Sequence, residues 1–252
     1  MSKTLLITGG ASGIGAETAR QAATRGYRIA INYRTRDAQA KQVVADIEAK
    51  GGKAIALPGD MAREADIVRL FEETEKALGP ITHLVNSAGS NGKRGRVDEL
   101  DAAVISDLFA INVIGLMLCC REASRRMSTK NGGKGGVIVN VSSMAATLGG
   151  RLGSSAYAAS KGAVDAFTKG FAREVAAEGI RVNSLRPGMV LTEMTEGRLK
   201  DAAFRASIEA SIPMGRVGTS AEIAQAVLWL LSDESSFIAG AMLDASGGGY
   251  MI

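Results

Sequence analysis

A tyrosine and a lysine four residues apart, Tyr157 and Lys161, are the side chains of this sequence best suited to proton transfer. The alanine-rich stretch 154–163 around them favours a helix, on which positions i and i+4 lie on one face. An ammonium beside a phenol favours the phenolate, so we expect Lys161 to lower the pKa of Tyr157 from about 10. Such a phenol can give and take a proton at working pH. The alternative is a small-residue helix whose lysine merely reaches solvent.

A glycine-rich turn near the start of the chain predicts a site for a diphosphate. The β-branched, apolar run 4–8 indicates a buried strand, and a helical pattern follows to about residue 25. Between them Gly9, Gly13 and Gly15 have the spacing Gly-x-x-x-Gly-x-Gly. Glycines permit a tight turn and the close approach of a diphosphate, whose charge the helix N-terminus attracts. A simple tight turn is the alternative, but the strand and helix context favours dinucleotide binding.

The end of the second predicted strand, residues 28–33, indicates which dinucleotide is bound. A site that prefers NAD usually carries an acid here for the ribose hydroxyls. This chain has Arg34 and Arg36 at that place, and the first acid is Asp37. A guanidinium can bind a 2′-phosphate through two hydrogen bonds. We therefore expect NADP(H) to be favoured over NAD(H), unless both arginines are only solvated loop charges.

Strands and helices alternate along the whole chain, without a linker or an internal repeat. Further strands are predicted at 53–58, 81–85, 137–141, 180–185 and 241–245, and further helices at 37–50, 63–78, 97–130, 154–178 and 220–231. This alternation predicts an α/β chain with a single domain over 1–252. It would be a doubly wound Rossmann fold with a seven-stranded parallel sheet and helices on both faces. Residues 189–213 follow a strand end without one strong pattern, and we expect them to form a substrate lid.

Polar or small residues follow several predicted strands, where ligands collect in open α/β sheets. Asp60 follows the third strand and could bind the adenine or cap the next helix. The small residues 86–89 follow the fourth strand, and Ser142 and Ser143 follow the fifth. Only one serine of this pair should face the site, and we choose Ser143. Asn112 lies in an apolar helical pattern, where its amide is either a structural bridge or part of a polar site.

The composition narrows the functional class. Lys and Arg exceed Asp and Glu by 30 − 26 = 4, and these charges are scattered, so we expect no nucleic-acid partner. The adjacent Cys119 and Cys120 lie in an apolar run, which indicates buried free thiols and a reducing, cytoplasmic location. His83 is the single histidine, lies in a predicted strand and is expected to be structural. We expect no membrane-spanning run, and residues 1–3 leave no room for a signal peptide.

Together these motifs resemble the short-chain dehydrogenase/reductase family, including its sugar-dehydrogenase-like and 3-oxoacyl-reductase-like members, over essentially the whole chain. Residues 8–15 look like the family's cofactor motif, and residues 86–89 resemble its Asn-Asn-Ala-Gly motif with serine second. The residues that match the family's catalytic tetrad are, in order, Asn112, Ser143, Tyr157 and Lys161. The cofactor-binding residues expected from the motifs and the resemblance are Gly9, Ser12, Gly13, Ile14, Gly15, Arg34, Asp60, Met61, Asn86, Ala88, Gly89, Tyr157, Lys161, Pro187, Gly188 and Thr192.

The resemblance implies hydride transfer between a nicotinamide cofactor and a carbonyl or secondary alcohol, without a metal. Tyr157 would exchange the proton with the substrate oxygen, Lys161 would lower its pKa and bind the nicotinamide ribose, and Ser143 would orient the substrate. Asn112 would hold a water in a proton relay. Two departures from the family pattern stand out. Ser12 replaces a residue that is basic in many NADP-preferring members, and Ser143 precedes Tyr157 by 14 residues, one more than usual.

Two functions of other classes are compatible with this fold, and the sequence disfavours both. A catalytically silent, nucleotide-sensing binding protein could share the fold, yet the intact tetrad argues against it. A methyltransferase on a similar sheet is disfavoured by Arg34 and by the pairing of Tyr157 with Lys161. The polar loop 90–96, which contains Arg94, could meet an anionic substrate, although a solvated loop is the simpler interpretation.

The helix that carries Tyr157 also has an apolar set consisting of Val164, Phe167, Phe171 and Val175. We expect it to lie beside the stripe that faces the sheet, and so to stay wet in a monomer unless the chain's own loops cover it. The resemblance implies tetramers of two-fold symmetry. We therefore expect a homotetramer, with a dimer as the second choice.

Overall fold

Short aliphatic and β-branched runs form the strands of this protein, which a computed structural model describes for residues 3–249. Residues 1 and 2, which entered the expectation about a signal peptide, lie outside the described residues. In chain order the strands are β1 Thr4–Thr8, β2 Arg28–Tyr33, β3 Lys53–Pro58, β4 His83–Asn86, β5 Gly136–Val141, β6 Ile180–Pro187, β7 Val190–Leu191, β8 Gly218–Thr219 and β9 Met242–Ala245. Seven of them form one parallel sheet in the order β3-β2-β1-β4-β5-β6-β9, and β7 pairs with β8.

Helices cover both faces of this sheet, which confirms the predicted doubly wound fold. In chain order they are α1 Gly13–Thr24, α2 Asp37–Glu48, α3 Glu64–Leu78, α4 Ala102–Phe109, α5 Leu116–Met127, α6 Ala145–Leu148, α7 Ser155–Val175, α8 Glu193–Leu199, α9 Ala202–Ala210 and α10 Ser220–Leu231. The bounds of β1, β2, β3 and α10 agree with those predicted. The short α6 and the β7–β8 pair were not predicted from local patterns.

The helix predicted at 97–130 is divided in the structure. A π-helical turn, Ala110–Gly115, joins α4 to α5. A Cβ at Gly115 would lie 2.0 Å from the carbonyl oxygen of Met61, so bare helix backbone touches the loop after β3 here. Such turns are rare and occur mostly at functional sites. This one carries Asn112.

Two apolar cores lie on opposite faces of the sheet, because successive strand residues point to opposite sides. Leu5 and Ile7 of β1 join the core beneath α1, α2 and α10, whereas Leu6 joins the core beneath α3, α5 and α7. Cys119 and Cys120 are free thiols in the second core, as predicted, and burial raises the pKa of Cys120 to about 12.

The apolar set on α7 belongs to the second core. Val164, Phe171 and Val175 are buried there, and Phe167 stacks on Phe171 with ring centroids 5.2 Å apart. The expectation that this set would stay wet in a monomer is therefore wrong. Because α7 packs against β6, this stripe is the one that faces the sheet, and it needs no partner chain to cover it.

The run Ala102–Met127, which includes α4, the π turn and α5, is long and apolar enough to cross a membrane by length and composition alone. This corrects the expectation that no run reaches that length. Within the run, Leu116, Cys119 and Ala123 are buried in the core beneath the sheet. Of its most apolar window, 39% is buried inside the protein.

Candidate active site

The side chains selected from the sequence converge at the carboxyl ends of the central strands. There they line one cavity of about 790 Å³. The predicted residues in its wall are Gly9, Ser12, Gly13, Ile14, Arg34, Asp60, Met61, Ala88, Gly89, Ser143, Tyr157, Lys161, Pro187, Gly188 and Thr192. Gly15, Asn86 and Asn112 do not contribute to that wall, and each is accounted for below.

The glycine turn after β1 is shaped for an anion. Gly9 and Gly13 have φ angles of 65° and 53°, in the left-handed region that favours glycine. A Cβ at Gly15 would lie 2.5 Å from the carbonyl oxygen of Gly9, so Gly15 closes the turn from behind instead of facing the cavity. Ser12 precedes α1 without capping it through its side chain. The N-terminus of α1 therefore meets the cavity as bare backbone, which fits the diphosphate of a dinucleotide.

The loop after β4 is fastened to the end of β1. Thr8 Oγ1 accepts hydrogen bonds from the backbone N–H groups of Ser87 and Ala88 at 3.2 and 3.1 Å. Asn86 points into the interior, where its Nδ2 donates to Asn140 Oδ1 at 2.9 Å. The Asn86 side chain therefore bridges β4 and β5. This role is structural, and the predicted contact of Asn86 with the cofactor stays a prediction.

Arg34 and Asp60 lie together at the β2–β3 end of the cavity. Arg34 Nη1 is 3.8 Å from Asp60 Oδ2, and the Arg34 side chain is 59% exposed. Asp60 Oδ1 accepts a hydrogen bond from the N–H of Ala62 at 2.9 Å, whereas α3 begins after Arg63. The carboxylate thus closes a local turn and does not cap α3. The predicted contact of Asp60 with the adenine stays a prediction, supported by its place in the cavity wall.

Tyr157 and Ser143 bring two hydroxyl groups together in the cavity. The Ser143 side chain hydrogen-bonds to the Tyr157 phenol. Ser143 Oγ also accepts from the N–H of Ala145 at 3.1 Å, which fixes its position. Ser142 turns away and donates to the carbonyl of Lys161 at 3.2 Å. The structure therefore places Ser143, and not Ser142, against the tyrosine.

Burial dominates the titration of Tyr157 and Lys161. Burial raises the pKa of Tyr157, and the hydrogen bond with Ser143 opposes this rise only in part. Burial also lowers the pKa of Lys161 to about 8, against the opposing charge of Asp165. Lys161 Nζ donates to the Val141 carbonyl at 2.9 Å and lies 5.9 Å from the centroid of the Tyr157 ring. The expected lowering of the tyrosine pKa is wrong in this structure, because the ammonium is bound to β5 and desolvation prevails.

Asn112 is a buried bridge beside Lys161. Its Oδ1 accepts from the N–H of Ser90 at 2.8 Å, and its Nδ2 donates to the Ser90 carbonyl at 2.9 Å and to Ser160 Oγ at 3.0 Å. A Cβ at Gly89 would lie 3.4 Å from Asn112 Oδ1 and 3.6 Å from Lys161 Nζ. The amide therefore positions the loop after β4 relative to α7. Its implied part in a water relay stays a prediction.

Residues 189–213, expected to form a lid, supply much of one wall of the cavity through α8 and α9. Thr192, at the start of α8, lies near the glycine turn, because a Cβ at Gly13 would be 3.4 Å from the threonine methyl group. An ion pair of Arg36 with Glu193 joins the loop after β2 to this segment. The segment has a small apolar core with Val217, made of Leu199, Ile208 and Ile212.

Three further arginines line the cavity, and of these the sequence had raised only Arg94, as an alternative to a solvated loop. Arg94 lies in the loop after β4, which the sequence suggested was solvated. Arg151 lies in the loop before α7, and Arg198 lies in α8. No motif or periodicity could show that the three arginines meet, because they belong to separate segments that come together only in the folded chain.

Among residues 3–249, no group of three or more His, Cys, Asp or Glu side chains is placed so that it could hold a metal ion. His83 is buried and meets the ring of Tyr27 edge-on, with centroids 5.0 Å apart. Burial lowers the pKa of His83 to about 4, so it is neutral at physiological pH. It is a structural residue of β4.

Known proteins resemble this chain along nearly its whole length. Residues 9–250 match a family described as enoyl-(acyl carrier protein) reductase. The chain is 45% identical over 244 residues to the uncharacterized oxidoreductase YgfF of Escherichia coli strain K12, covering 96% of this chain and 98% of that protein. It is 40% identical over 248 residues to a 3-oxoacyl-[acyl-carrier-protein] reductase of Mus musculus, covering 98% of both. A dehydrogenase/reductase from Sinorhizobium meliloti 1021 matches with a TM-score of 0.90 and 34% identity, covering 100% of this chain and 96% of that chain.

The similarity and the geometry agree on the reaction class. The protein is an oxidoreductase that transfers a hydride between a nicotinamide cofactor and a carbonyl or secondary alcohol. The comparisons give no support to a catalytically silent nucleotide-sensing protein. With its fold, its glycine turn and its tyrosine–lysine pair, this chain belongs to the short-chain dehydrogenase/reductase family.

Proposed function

We propose that this oxidoreductase uses NADP(H) in preference to NAD(H) and that Tyr157 supplies the proton for the substrate oxygen. The proposal rests on the contact between the Tyr157 and Ser143 hydroxyls, in the cavity that also contains the glycine turn. When bound, the nicotinamide gives a hydride to the carbonyl carbon or takes one from the alcohol. The mouse relative, a 3-oxoacyl-[acyl-carrier-protein] reductase by name, supports a carbonyl substrate.

The three polar side chains then have separate tasks in carbonyl reduction. The raised pKa of Tyr157 keeps its phenol protonated at neutral pH, so Oη can donate a proton to the carbonyl oxygen. Ser143 Oγ orients that oxygen by a hydrogen bond. Lys161 is mostly charged at pH 7 with its pKa of about 8. Its positive charge, 5.9 Å from the ring centroid, attracts the phenolate as it forms, although it does not offset the desolvation that raises the pKa of the resting phenol. The carbonyl becomes an alcohol as it gains the hydride and this proton.

The role of Tyr157 is tested by Tyr157→Phe, which removes only the hydroxyl. We expect kcat for ketone reduction to fall by about 10²–10⁴-fold, because general acid catalysis is worth that much. The affinity for the cofactor, measured by fluorescence titration, should be retained. Tyr27→Phe, at a buried tyrosine beside His83, is the matched control and should keep wild-type turnover. Activity of Tyr157→Phe within tenfold of wild type would contradict the assignment.

The preference for NADP(H) is supported by the position of Arg34. Its half-exposed guanidinium lines the cavity at the end of β2, where it can bind a 2′-phosphate through paired hydrogen bonds. Asp60, 3.8 Å away, is the acid that it meets there. Arg36 is less available, because it is paired with Glu193 of the lid.

Arg34→Ala should lower the ratio of kcat/KM for NADPH to that for NADH by about 10–100-fold, since a hydrogen bond to a charged group is worth about 1.5–3 kcal/mol. The measurement follows nicotinamide absorbance with each cofactor in turn. Arg36→Ala is the comparison variant and should change the ratio less. A wild-type preference for NADH, or an unchanged ratio in Arg34→Ala, would refute the proposal.

We also propose a cytoplasmic homotetramer, with a dimer as the second choice. β9 lies at the edge of the seven-stranded sheet, and Phe237 shortly before it is fully exposed. Ile114, in the π turn before α5, is 54% exposed. Sheet edges and exposed apolar side chains are typical of subunit interfaces. The buried free thiols suit a reducing compartment.

A further inference from the structure

The charges that line the cavity are unevenly distributed. Within the described part of the chain they are Arg34, Arg36, Asp60, Arg94, Arg151, Lys161, Glu193 and Arg198. Both carboxylates pair with the arginines after β2, Asp60 with Arg34 and Glu193 with Arg36. The other four charges are all positive, and three of them are guanidiniums outside the tetrad.

Two of these guanidiniums lie against one aromatic ring. The guanidinium carbon of Arg198 is 4.2 Å from the centroid of the Phe204 ring, and that of Arg151 is 5.7 Å from it. Phe204 belongs to α9, so α8, α9 and the loop before α7 meet at this ring. Stacking on an aromatic face holds an arginine in place while leaving its N–H groups free to bind an anion.

The third guanidinium lies one helical turn from the reacting tyrosine. Arg94 Nε donates to Ser154 Oγ at 3.1 Å. Ser154 precedes Tyr157 by three residues at the start of α7, a rise of about 5 Å along the helix axis. The basic wall therefore begins close to the site of proton transfer.

The three arginines repel one another without a compensating acid. The pKa of Arg151 is lowered by burial and by the charge of Arg94. The pKa of Arg198 is lowered by burial and by the charges of Arg94 and Arg151. In residues 3–249 none of the three makes a salt bridge, which distinguishes them from Arg34 and Arg36. Like charges gathered in this way cost free energy that a bound anion offsets.

The rest of the wall around these arginines is largely apolar. It is made of Met144, Leu148, Met189, Leu199, Ile208 and Ile212. Such a surface excludes water from the reacting carbonyl and suits a short aliphatic body. A ligand with an apolar middle and one anionic end matches both parts of the cavity.

We propose that Arg94, Arg151 and Arg198 form an anion-binding site for the substrate, so that the carbonyl compound reduced here carries a carboxylate or a phosphate. This inference rests on the proposed function, since the carbonyl must lie at Tyr157 while the anion lies on the arginines. Guanidiniums bind both groups through paired N–H···O contacts. The site selects the substrate and takes no part in the proton or hydride step.

The test compares charged and neutral versions of the same ketone. Oxo acids of four to eight carbons are assayed with NADPH beside their methyl esters, and hydroxyketone phosphates are assayed beside the parent hydroxyketones. We expect kcat/KM to be at least about tenfold higher for the charged member of one series, since a hydrogen bond to a charged group is worth about that much. The series with the larger ratio identifies the anion. Ratios near one in both series would overturn the proposal.

Single arginine substitutions show whether the cluster causes that preference. Arg94→Ala, Arg151→Ala and Arg198→Ala should each lower the charged-to-neutral ratio by about tenfold. Arg205→Ala is the matched control, because Arg205 follows Phe204 in α9 but pairs with Glu209 and does not line the cavity. It should leave the ratio unchanged. Equal losses for charged and neutral ketones would mean that the arginines only support the lid, and the anion site would be rejected.

A binding measurement separates this inference from the proposed function. The Tyr157→Phe variant with NADP⁺ is titrated with the same pairs by calorimetry, so binding is seen without turnover. If the enzyme reduces neutral ketones but binds the two members of each pair with equal affinity, the anion site is rejected and the proposed function is retained. Failure to reduce any ketone would reject the proposed function. In that case the anion site would still be established if the charged member of a pair bound more tightly than the neutral one and Arg151→Ala abolished this difference in affinity.

Discussion

Tyr157 and Lys161 share a face of α7, yet their polar atoms have different partners. The phenol hydrogen-bonds to Ser143, whereas the ammonium donates to the Val141 carbonyl of β5. Desolvation then moves the two pKa values apart, with the tyrosine raised above its usual 10 and the lysine lowered from 10.5 to about 8. At neutral pH the result is a protonated acid beside a cation, which suits carbonyl reduction.

Burial of Lys161 in its charged form destabilises the folded protein. The free energy of unfolding therefore depends on pH in the range where this lysine loses its proton. Its pKa is about 8 in the folded protein, against 10.5 for an ordinary lysine. Between these values the unfolded chain binds a proton that the folded lysine has lost, so the contribution of Lys161 to stability rises with pH. Below pH 8 the cost of burying the charge is fully present.

Lys161→Met should therefore raise the free energy of unfolding at pH 7 by about 1–2 kcal/mol. Lowering the pKa of a lysine from 10.5 to about 8 corresponds to ~3 kcal/mol, from which the lost hydrogen bond to Val141 is subtracted. Urea unfolding should show the gain shrinking between pH 8 and pH 10.5. Lys169→Met, at an exposed lysine of the same helix, controls for loss of charge. A gain that stays constant over this range would contradict the argument.

At the scale of elements, the π-helical turn between α4 and α5 positions the site from behind. It brings Asn112 to the backbone of Ser90 and to Ser160 of α7, so three segments are joined by one amide. The turn also brings bare backbone against the loop after β3, because Gly115 lies on the Met61 carbonyl. The glycine is required for this close approach.

Gly115→Ala should destabilise the fold by about 2–3 kcal/mol, because the added methyl meets fixed backbone 2.0 Å away and overpacking costs about that much. Gly170→Ala on α7 is the matched control, since its Cβ would meet nothing within 4 Å. It should be neutral or stabilise by up to ~1 kcal/mol. Urea midpoints measure both variants. Wild-type stability in Gly115→Ala would show that the helix can shift away from the loop.

At the scale of the whole molecule, the sheet has two edges, and β9 forms one of them. The apolar stripe of α7 is buried in the core of the single chain, so it cannot drive the association of subunits. The surface residues left to do so include Phe237, close to the β9 edge, and Ile114. Assembly through the β9 edge would bury Phe237 and cover a strand whose outer side is otherwise open.

Light scattering should accordingly report a mass near four times the 26.1 kDa of one chain, or twice that value for the dimer. Phe237→Asp should reduce the measured mass, because a carboxylate in an apolar interface is costly. Leu152→Asp, at an equally exposed apolar residue in the loop before α7, should not. A wild-type mass of one chain would refute the assembly.

The amino-acid sequence alone was enough to predict the fold class, and most of the site residues selected from it line the cavity. Hydrophobic runs and their periods are local properties, so β1, β2 and β3 could be bounded to the residue. Glycine spacing likewise reflects local backbone geometry, and Gly9 and Gly13 have the left-handed angles that the turn requires. Motif order also selected Ser143 and Tyr157, whose side chains hydrogen-bond in the structure.

The contacts of each side chain became visible only in the folded chain. The inward direction of Asn86, the bond from Lys161 to β5 and the burial of the α7 stripe depend on which segments are neighbours across the sheet. The arginine wall is the clearest case, because Arg94, Arg151 and Arg198 come from three segments far apart in the chain. Contacts and desolvation act through space, whereas motifs and periodicity record only the order of residues along the backbone.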